Sequence, residues 1–523
     1  MHFLTWSSLA RMTRLQFALT HPDQQTTFGP RLGTLVVRSI TLDTPTLLTS
    51  TSRGVIPHLS RDHVRKSPAL AWLHVPFESF LEHTPPVPTL QPGPHPLHRF
   101  LGFKPDDHIL SFDLRDPADV REMPPNGNSH VSAMCLRGVR KISPAQWRTY
   151  TNACQPDIVA ALTDTPHRHP PFSQKRLTKS IDRSTAWLAN LLATDDTLPP
   201  APAPAVFVHL AGSTSHPARA AFTASLLEPL SPVNAALPSL DAGVTGYILD
   251  LAPLRATATA EPDSHSLLRT SLHALPPTKP RLAHGTPGPH ALLRLLRDVG
   301  ADAVDAPWAI AAAACGVSFD FEFPVRETKR AEDGAGKEEL GCNLYDARYA
   351  LDFGGLGGER EGGCACVACT DAQDRGRGRK QIVHGTDASE AADALAGADA
   401  HGDEALPGYT RAYVHHLLHT HEMGAHALLA LHNLEIVRAF LAGVRRVLAA
   451  DGVTGFAREV GRFEERYLEL DADADGGEGE GDKGTVMREA KVMWAEVERA
   501  RGKGRLARER EKEKGREKED ESV

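Results

Sequence analysis

The stretch Cys364-Ala365-Cys366-Val367-Ala368-Cys369 places three thiols within six positions. The chain has seven cysteines, and no second cluster of three exists in the sequence to pair with these, so metal ligation explains them better than a disulfide framework. Thiolate and imidazole suit zinc, and three cysteines with one histidine complete a tetrahedral site. A closed tetrahedron leaves no position for a substrate. The sequence therefore predicts one structural Zn²⁺.

A histidine on the buried face of a downstream helix is the expected fourth ligand. Apolar residues recur around His432 at helical spacing: Leu428, Leu431, Leu434, Val437, Phe440, Leu441, Val444, Val447 and Leu448. His432 shares their face, which is where a ligand would have to point. An isolated histidine on such a face is usually a satisfied core residue, but three thiols upstream favour ligation. His384, in a stretch rich in glycine, aspartate and alanine, is the alternative ligand.

Two further segments carry a family resemblance. They are Tyr409–His416 (Y-T-R-A-Y-V-H-H) and Glu422–Leu434 (E-M-G-A-H-A-L-L-A-L-H-N-L). Together with C-A-C-V-A-C they closely resemble the zinc subdomain of the tRNA-guanine (queuine) transglycosylases. The resemblance implies the metal ligands Cys364, Cys366, Cys369 and His432. Residues 370–408 depart from the family's spacing, and we interpret them as a surface insertion, because long loops add little closure entropy.

Short β-like runs alternate with amphipathic stretches along most of the chain, which is typical of a βα barrel. The predicted strands are Leu15–Leu19, Gly33–Ser39 with Thr46–Thr49, His108–Asp113, Asp157–Leu162, Val206–Leu210, Gly246–Leu251, Arg281–His284 and Val317–Phe321. The predicted helices include Ser180–Ala193, His216–Leu230 and Gly288–Val299. The fold class is therefore α/β, a (β/α)8 TIM barrel with a Cys3His zinc subdomain inserted near its C-terminal end.

One aspartate stands where the family keeps its nucleophile. In catalytic members, an aspartate attacks the anomeric carbon of the ribose and holds a covalent tRNA intermediate, once the base has left the stack. The motif G-x-D-x-F-D-C-V-x-P-T-R is similar to Gly300–Ala311, and it puts Asp305 at that position. The P-T-R element is replaced by Ala309-Ile310-Ala311. Because nucleophilic catalysis depends on several groups acting together, we expect Asp305 to be inactive and predict no catalytic residue.

The positions that the family uses to transfer protons and read the base differ more strongly. Catalytic members carry D-S-G-G-F-Q where this chain has Ser111–Asp116 (S-F-D-L-R-D), without the glycine pair that lets backbone approach the base. Leu210–Ser213 stands at the family's Q-G-G, and its G-G-L-x-V-G-E element is missing. Asp164 matches the base-reading aspartate, but Thr165 replaces the glutamate that follows it.

The resemblance therefore implies a non-catalytic, accessory member of the family. It would form a heterodimer with the catalytic subunit of queuine tRNA-ribosyltransferase and help to hold tRNA. The partner would exchange guanine for queuine at wobble position 34 of tRNAs with GUN anticodons, which are those for aspartate, asparagine, histidine and tyrosine. The alternative is an active transglycosylase that uses Asp305 as its nucleophile in a rebuilt pocket. A more distant alternative is a barrel that binds an unrelated ligand.

Composition bounds these hypotheses. Hydrophobic residues make up 41% of the 523 positions, which is ample for a core, and no apolar run approaches the length of a membrane span, so we expect no transmembrane segment. A formal net charge of -8 does not indicate a nucleic-acid-binding protein, so tRNA contact would rely on a local basic patch. Four of the seven cysteines are dispersed, which favours the reducing cytoplasm, with the surface of the mitochondrial outer membrane as an alternative location.

Composition also suggests the domain boundaries. Residues 1–11 are interpreted as a non-native or targeting extension, since Met12 is an alternative start. Residues 12–450 form the predicted barrel, with the zinc subdomain at about 340–450. Residues 451–523 are predicted to be an acidic linker and a charged tail that is disordered or helical, because they mix Lys/Arg with Glu after a run rich in glycine and aspartate.

Overall fold

The computed structural model describes residues 15–20, 27–165, 171–193, 203–231, 237–257, 260–326, 336–357, 364–370, 408–470 and 484–499. The predicted extension at 1–11, His384 with nearly all of the predicted insertion, and much of the predicted tail lie outside these ranges. The chain divides into two compact units. The first unit comprises Met1–Ala311, Glu322–Glu339 and Val437–Thr485, and the second comprises Ala312–Phe321, Leu340–Ile436 and Val486–Val523.

The first unit contains a closed barrel of eight parallel strands, which confirms the predicted fold class. In order around the barrel the strands are Ala205–His209, Gly246–Asp250, Arg281–His284, Ala303–Asp305, Thr46–Ser50, Trp72–Pro76, Ile109–Asp113 and Ile158–Ala160. Most of their side chains are buried, as expected for parallel strands that are covered on both faces. The register that pairs Ala303 with Thr46 and Asp305 with Leu48 joins the last barrel strand in the chain to the first barrel strand.

The predicted set of barrel strands was wrong at five places. Trp72–Pro76 and Ala303–Asp305 belong to the barrel but were not predicted as strands. Leu15–Leu19 and Gly33–Val37 lie outside the barrel, in a separate antiparallel sheet that Ile40–Thr44 completes. Val317–Phe319 pairs antiparallel with Gly341–Asn343 in the second unit. A short apolar run indicates that a strand is buried but not which strand pairs with it.

The helices of the first unit connect the barrel strands. They are Arg61–Lys66, Pro96–Leu101, Pro144–Cys154, Gln174–Leu192, His216–Leu227, Ala252–Ala256, Glu261–Leu272 and Pro289–Asp298. Serine caps several of them: Ser173 accepts a hydrogen bond from the backbone of Arg176, so the helix predicted from Ser180 begins at Gln174. A hairpin of Val131–Cys135 and Gly138–Ile142 is inserted after the strand Ile109–Asp113. These elements set the loops at the carboxyl ends of the strands, where barrels carry their sites.

Two helices follow the thiol cluster in the chain. Thr410 caps Arg411–His419, and Gly424–Arg466 contains a kink at Gly452, whose φ of 63° and ψ of -163° are not helical. Residue 450, the predicted end of the barrel region, lies inside this helix. Among the described residues this helix alone is long and apolar enough to cross a membrane, and 78% of its most apolar window is buried within the protein, as in a core helix. A further helix spans residues 486–499.

Asp302 forms a buried ion pair with Arg31, and the stability of the folded protein should depend on it. Arg31 Nε donates to Asp302 Oδ1 at 2.9 Å, and the Arg281 backbone N–H donates to Oδ2 at 2.8 Å. Asp302→Ala leaves the Arg31 charge buried without its partner, so we expect the free energy of unfolding to fall by about 3–5 kcal/mol. Asp106→Ala, at an exposed position, should change it by less than about 0.5 kcal/mol. Denaturant unfolding of both variants checks this, and equal effects would contradict it.

Candidate metal centre and barrel pocket

The second unit brings the four predicted metal ligands together. The Sγ atoms of Cys364, Cys366 and Cys369 lie 3.5, 3.8 and 3.3 Å from His432 Nδ1. All four donor atoms lie within 4.8 Å of one another, and they form the one such group of metal-ligating atoms among the described residues. Hydrogen bonds from Cys366 and Cys369 lower the pKa of the Cys364 thiol, which favours the thiolate that binds a metal.

The ring of His432 is oriented by backbone. Its Nε2 donates to the carbonyl oxygen of Phe319 at 2.8 Å, so Nδ1 carries the lone pair that faces the three sulfurs. The next residue, Asn433, accepts from the Phe319 backbone N–H at 2.9 Å and donates to the Val317 carbonyl at 3.0 Å. The strand Val317–Phe319 therefore fixes both the tautomer and the direction of the imidazole.

The spacing of the donor atoms fits a tetrahedral ion. Metal–sulfur and metal–nitrogen bonds of zinc-like length place sulfur and nitrogen about 3.6 Å apart at a tetrahedral angle. The three observed sulfur–nitrogen distances, between 3.3 and 3.8 Å, bracket that value. Cys366 and His432 are buried, and Cys364 and Cys369 are half-buried. The group can hold one metal ion by four protein ligands, which is the arrangement of a structural site.

In the first unit, the carboxylate of Asp305 is occupied by the loop that follows the neighbouring strand. The backbone N–H of Gly285 donates to Oδ2 at 2.8 Å, and that of Thr286 donates to Oδ1 at 3.3 Å. His284 Nδ1 lies 3.2 Å from Oδ2, and the Thr286 hydroxyl donates to the Asp305 carbonyl at 2.6 Å. Only 2% of Asp305 is exposed. These donors hold the carboxylate against the loop that follows the neighbouring strand, and they keep it almost entirely from solvent.

Asp164, the match to the base-reading aspartate, is also committed to the protein. Arg176 Nη1 and Nη2 donate to its two oxygens at 2.8 Å each, and Arg183 Nη1 donates to Oδ2 at 3.0 Å. Asn126 Nδ2 donates to Oδ1 at 2.8 Å. Asp164 is fully buried. Its oxygens therefore anchor the helix Gln174–Leu192 and are not free to read a base.

Arg115 lies in the loop after the strand Ile109–Asp113, within the segment that corresponds to the family's D-S-G-G-F-Q. Its Nε donates to the Ser132 carbonyl at 2.7 Å, and its Nη2 donates to Asn126 Oδ1 at 3.0 Å. These bonds tie the loop to the strand Val131–Cys135.

A charged triad that the sequence analysis missed lies at the ends of three barrel strands. His209 Nε2 bonds Asp113 Oδ2 at 2.9 Å, and its Nδ1 bonds Asp250 Oδ2 at 2.8 Å. Burial opposes the charged imidazole, but the carboxylates of Asp250 and Asp113 raise the pKa of His209 well above its usual value. Burial would raise the pKa of Asp113, but the charge and hydrogen bond of His209 lower it overall. The triad is therefore an imidazolium between two carboxylates.

The triad lines a pocket at the carboxyl ends of the strands. The empty volume of the pocket, including its open mouth, is about 500 Å³. Its other walls come from Leu114, Arg115, Asp116, Pro117, Asp119, Val131, Leu162, Thr163, Thr165 and Pro253. One sequence signal could have found the triad: each of three apolar strands, ending in F-D, V-H and L-D, closes on a polar residue. Neither Asp305 nor Asp164 contributes to these walls.

The chain is a βα-barrel protein that also carries a Cys3His metal-binding group in the C-terminal part of its sequence. Comparison with known proteins identifies its family. A family model described as queuine tRNA-ribosyltransferase matches residues 26–391 and 404–466. The chain therefore belongs to the tRNA-guanine transglycosylase family, as its zinc-subdomain motifs predicted.

Curated relatives narrow the comparison within the family. The chain is 27% identical over 439 residues to a protein of Ixodes scapularis named queuine tRNA-ribosyltransferase accessory subunit 2, covering 81% of this chain and 93% of that protein. It is 24% identical to the Homo sapiens protein of the same name, over 79% of this chain and 90% of that protein. The Schizosaccharomyces pombe protein of that name is 24% identical, over 84% and 82%.

The titration of His209 predicts a pH dependence of stability. A pKa raised in the folded state contributes stability that is present below the unfolded value of 6.5 and is lost as the pH rises through the folded value. The lowered pKa of Asp113 contributes stability that is present above 3.8 and is lost as the pH falls further. The triad therefore stabilises the fold most between about pH 4 and 6.5.

The variant His209→Gln tests this pH dependence. Its free energy of unfolding should lie furthest below that of the wild type between pH 5 and 6.5, and the gap should narrow by roughly 1–3 kcal/mol toward pH 9, because above 6.5 the unfolded wild-type chain releases the His209 proton that the folded protein retains. His273→Gln, at an exposed position, should leave a constant and small gap. Denaturant titrations at each pH measure both differences. A gap for His209→Gln that does not change with pH would contradict the charged triad.

Proposed function

We propose that the chain is a non-catalytic accessory subunit of a queuine tRNA-ribosyltransferase complex. Its catalytic partner exchanges guanine for queuine at wobble position 34 of tRNAs with GUN anticodons, and this chain forms a heterodimer with that partner and helps to hold the tRNA. The names of the relatives, each an accessory subunit, support the assignment. We also propose a cytoplasmic location, with the mitochondrial outer-membrane surface as the alternative, supported by seven cysteines that form no disulfide.

The observation that carries the non-catalytic assignment is the environment of Asp305. A nucleophile must present an oxygen to the anomeric carbon at bonding range, and the oxygens of Asp305 face Gly285, Thr286 and His284 instead. Freeing them would leave the buried N–H groups of that loop without acceptors, which costs about 1–3 kcal/mol for each group. The competing function, an active transglycosylase that uses Asp305, requires this loop to be rebuilt.

The surface of the second unit supports a docking role. Leu351 is 80% exposed and Phe353 is 74% exposed, and in a later segment the ring of half-buried Tyr409 stacks on that of exposed Tyr413 at 5.4 Å between centroids. Asp352 joins the two segments, because its backbone carbonyl accepts from the N–H of Ala412 at 2.7 Å and its carboxylate pairs with Arg411 at 3.1 Å. Exposed aromatic and apolar side chains on an ordered surface are typical of protein interfaces. We assign this surface to the catalytic partner.

We propose that the metal ion is zinc, one per chain, and that its role is structural. Three sulfurs and one imidazole form a set that zinc prefers, and the orientation of His432 by the Phe319 carbonyl is the support that such ligands usually have. The ion would join the Cys364–Cys369 segment to the helix that carries His432. Loss of the metal should therefore unfold this part of the second unit and weaken assembly with the partner.

Guanine exchange tests the accessory role directly. Labelled guanine in a GUN-anticodon tRNA is exchanged in three reactions that contain this chain, the catalytic partner, or both proteins. We expect no exchange by this chain alone and exchange by the mixture at least tenfold faster than by the partner alone. Exchange by this chain alone, abolished by Asp305→Asn, would contradict the proposal.

Metal content tests the ligand set. Cys369→Ser should reduce bound zinc from about one per chain to near zero and lower the melting temperature, because one thiolate of the tetrahedron is lost. Cys315→Ser is the matched control: it changes a half-buried thiol of the same unit that lies outside the group, and it should keep its zinc. Elemental analysis of the purified variants gives the ratio. Full zinc content in Cys369→Ser would exclude Cys369 as a ligand.

A further inference from the structure

Two histidines of the helix Arg411–His419 face each other on its surface. His415 and His419 are four residues apart, so their side chains leave the helix on the same side. Their ring centroids lie 4.3 Å apart, and the ring planes are inclined at 48°. His415 is half-buried and His419 is exposed, so solvent reaches the pair, which lies outside the Cys3His group. Two imidazoles at this spacing on one helix face can bind the same metal ion.

The backbone carbonyls of two consecutive residues hold the two rings. His415 Nδ1 lies 2.9 Å from the carbonyl oxygen of Leu344, and His419 Nε2 lies 3.1 Å from that of Tyr345. A carbonyl oxygen only accepts, so each of these nitrogens carries a proton and donates it. The other nitrogens, His415 Nε2 and His419 Nδ1, make no hydrogen bond to any residue that the structure describes. Histidines that bind a metal are usually oriented by such a bond from the second ring nitrogen.

The surroundings of His415 favour the neutral imidazole. Burial lowers the pKa of His415, and the neighbouring ring of His419 lowers it further. Asp346 acts in the opposite direction without reversing the shift, and its carboxylate is paired with Arg348 at 3.0 Å. At pH 7 the unprotonated nitrogen of His415 therefore carries a lone pair, which is what metal binding requires.

The separation of the rings suits one shared ion. With metal–nitrogen bonds of about 2.0–2.1 Å and an angle of about 90–110° at the metal, two imidazoles have ring centroids about 4.5–5 Å apart. The observed separation of 4.3 Å is close to that range. Imidazole without thiolate suits nickel, copper and zinc among the common divalent ions. Two protein ligands would leave the remaining coordination positions to water.

We propose that His415 and His419 form a second metal site, on the surface of the second unit, that binds a divalent ion of the nickel, copper and zinc group. The ligands are His415 Nε2 and His419 Nδ1. The site goes beyond the accessory role, since it requires neither tRNA nor the catalytic partner. It also differs from the Cys3His group, because two ligands open to solvent hold an exchangeable ion rather than a structural one.

Nickel titration of the full chain tests this site. The Cys3His group is first filled with zinc, which elemental analysis verifies, and isothermal titration with Ni²⁺ at pH 7.5 should then show one site with a Kd on the order of micromolar. His415→Asn and His419→Gln each keep an amide N–H for the backbone carbonyl but lose the ligating nitrogen. Each variant should bind Ni²⁺ at least tenfold more weakly and keep its zinc.

His416→Gln is the matched control, because it changes an exposed histidine of the same helix that points away from the pair. It should leave the affinity for Ni²⁺ unchanged, which separates the paired site from the general affinity of a chain with 26 histidines. Three results would overturn the proposal: no Ni²⁺ site beside the filled Cys3His group, equal affinity of the wild type and both pair variants, or an equal loss in His416→Gln.

Discussion

Asp305 ties the end of one barrel strand to the loop after its neighbour, and the character of the whole barrel mouth depends on this contact. The backbone of Gly285 and Thr286 donates to the carboxylate, and the Thr286 hydroxyl returns to the Asp305 carbonyl. A carboxylate can either satisfy buried backbone donors or present its oxygens to a substrate, and the distances here select the first. The carboxylate of Asp164 likewise accepts hydrogen bonds from within the protein, from Arg176 and Arg183. Both acids that match functional positions of the family thus have their oxygens hydrogen-bonded within the protein.

The second unit depends on a comparable constraint. The strand Val317–Phe319 orients two consecutive residues of one helix, since Phe319 and Val317 take up the polar groups of His432 and Asn433. The imidazole that results faces three sulfurs from a segment more than sixty residues earlier in the chain. A metal ion held there would connect the helix that carries His432 to the Cys364–Cys369 segment. We therefore expect the exposed apolar and aromatic surface of this unit to depend on metal binding for its structure.

The sequence was sufficient for the metal group but not for the barrel pocket, and the physical reasons differ. Three thiols in six positions are recognisable because ligand spacing within a short segment is set by local geometry. The Asp113–His209–Asp250 triad joins side chains that are 96 and 41 residues apart, so only the order of strands around the barrel brings them together. The sequence analysis predicted no such order, and its set of strands lacked Trp72–Pro76 and Ala303–Asp305, which are short runs without alternation. The presence of Asp305 was predictable, whereas its bonding partners were not.

The most direct test of the central claim is to find which polypeptide becomes linked to tRNA. Catalytic members of the family hold a covalent intermediate between an aspartate and the ribose. The assembled complex is therefore incubated with labelled GUN-anticodon tRNA, denatured, and separated by size. The account predicts that label shifts the catalytic partner only and that Asp305→Asn in this chain changes nothing. Label on this chain, lost in Asp305→Asn, would show that the sealed carboxylate opens to attack and would contradict the account.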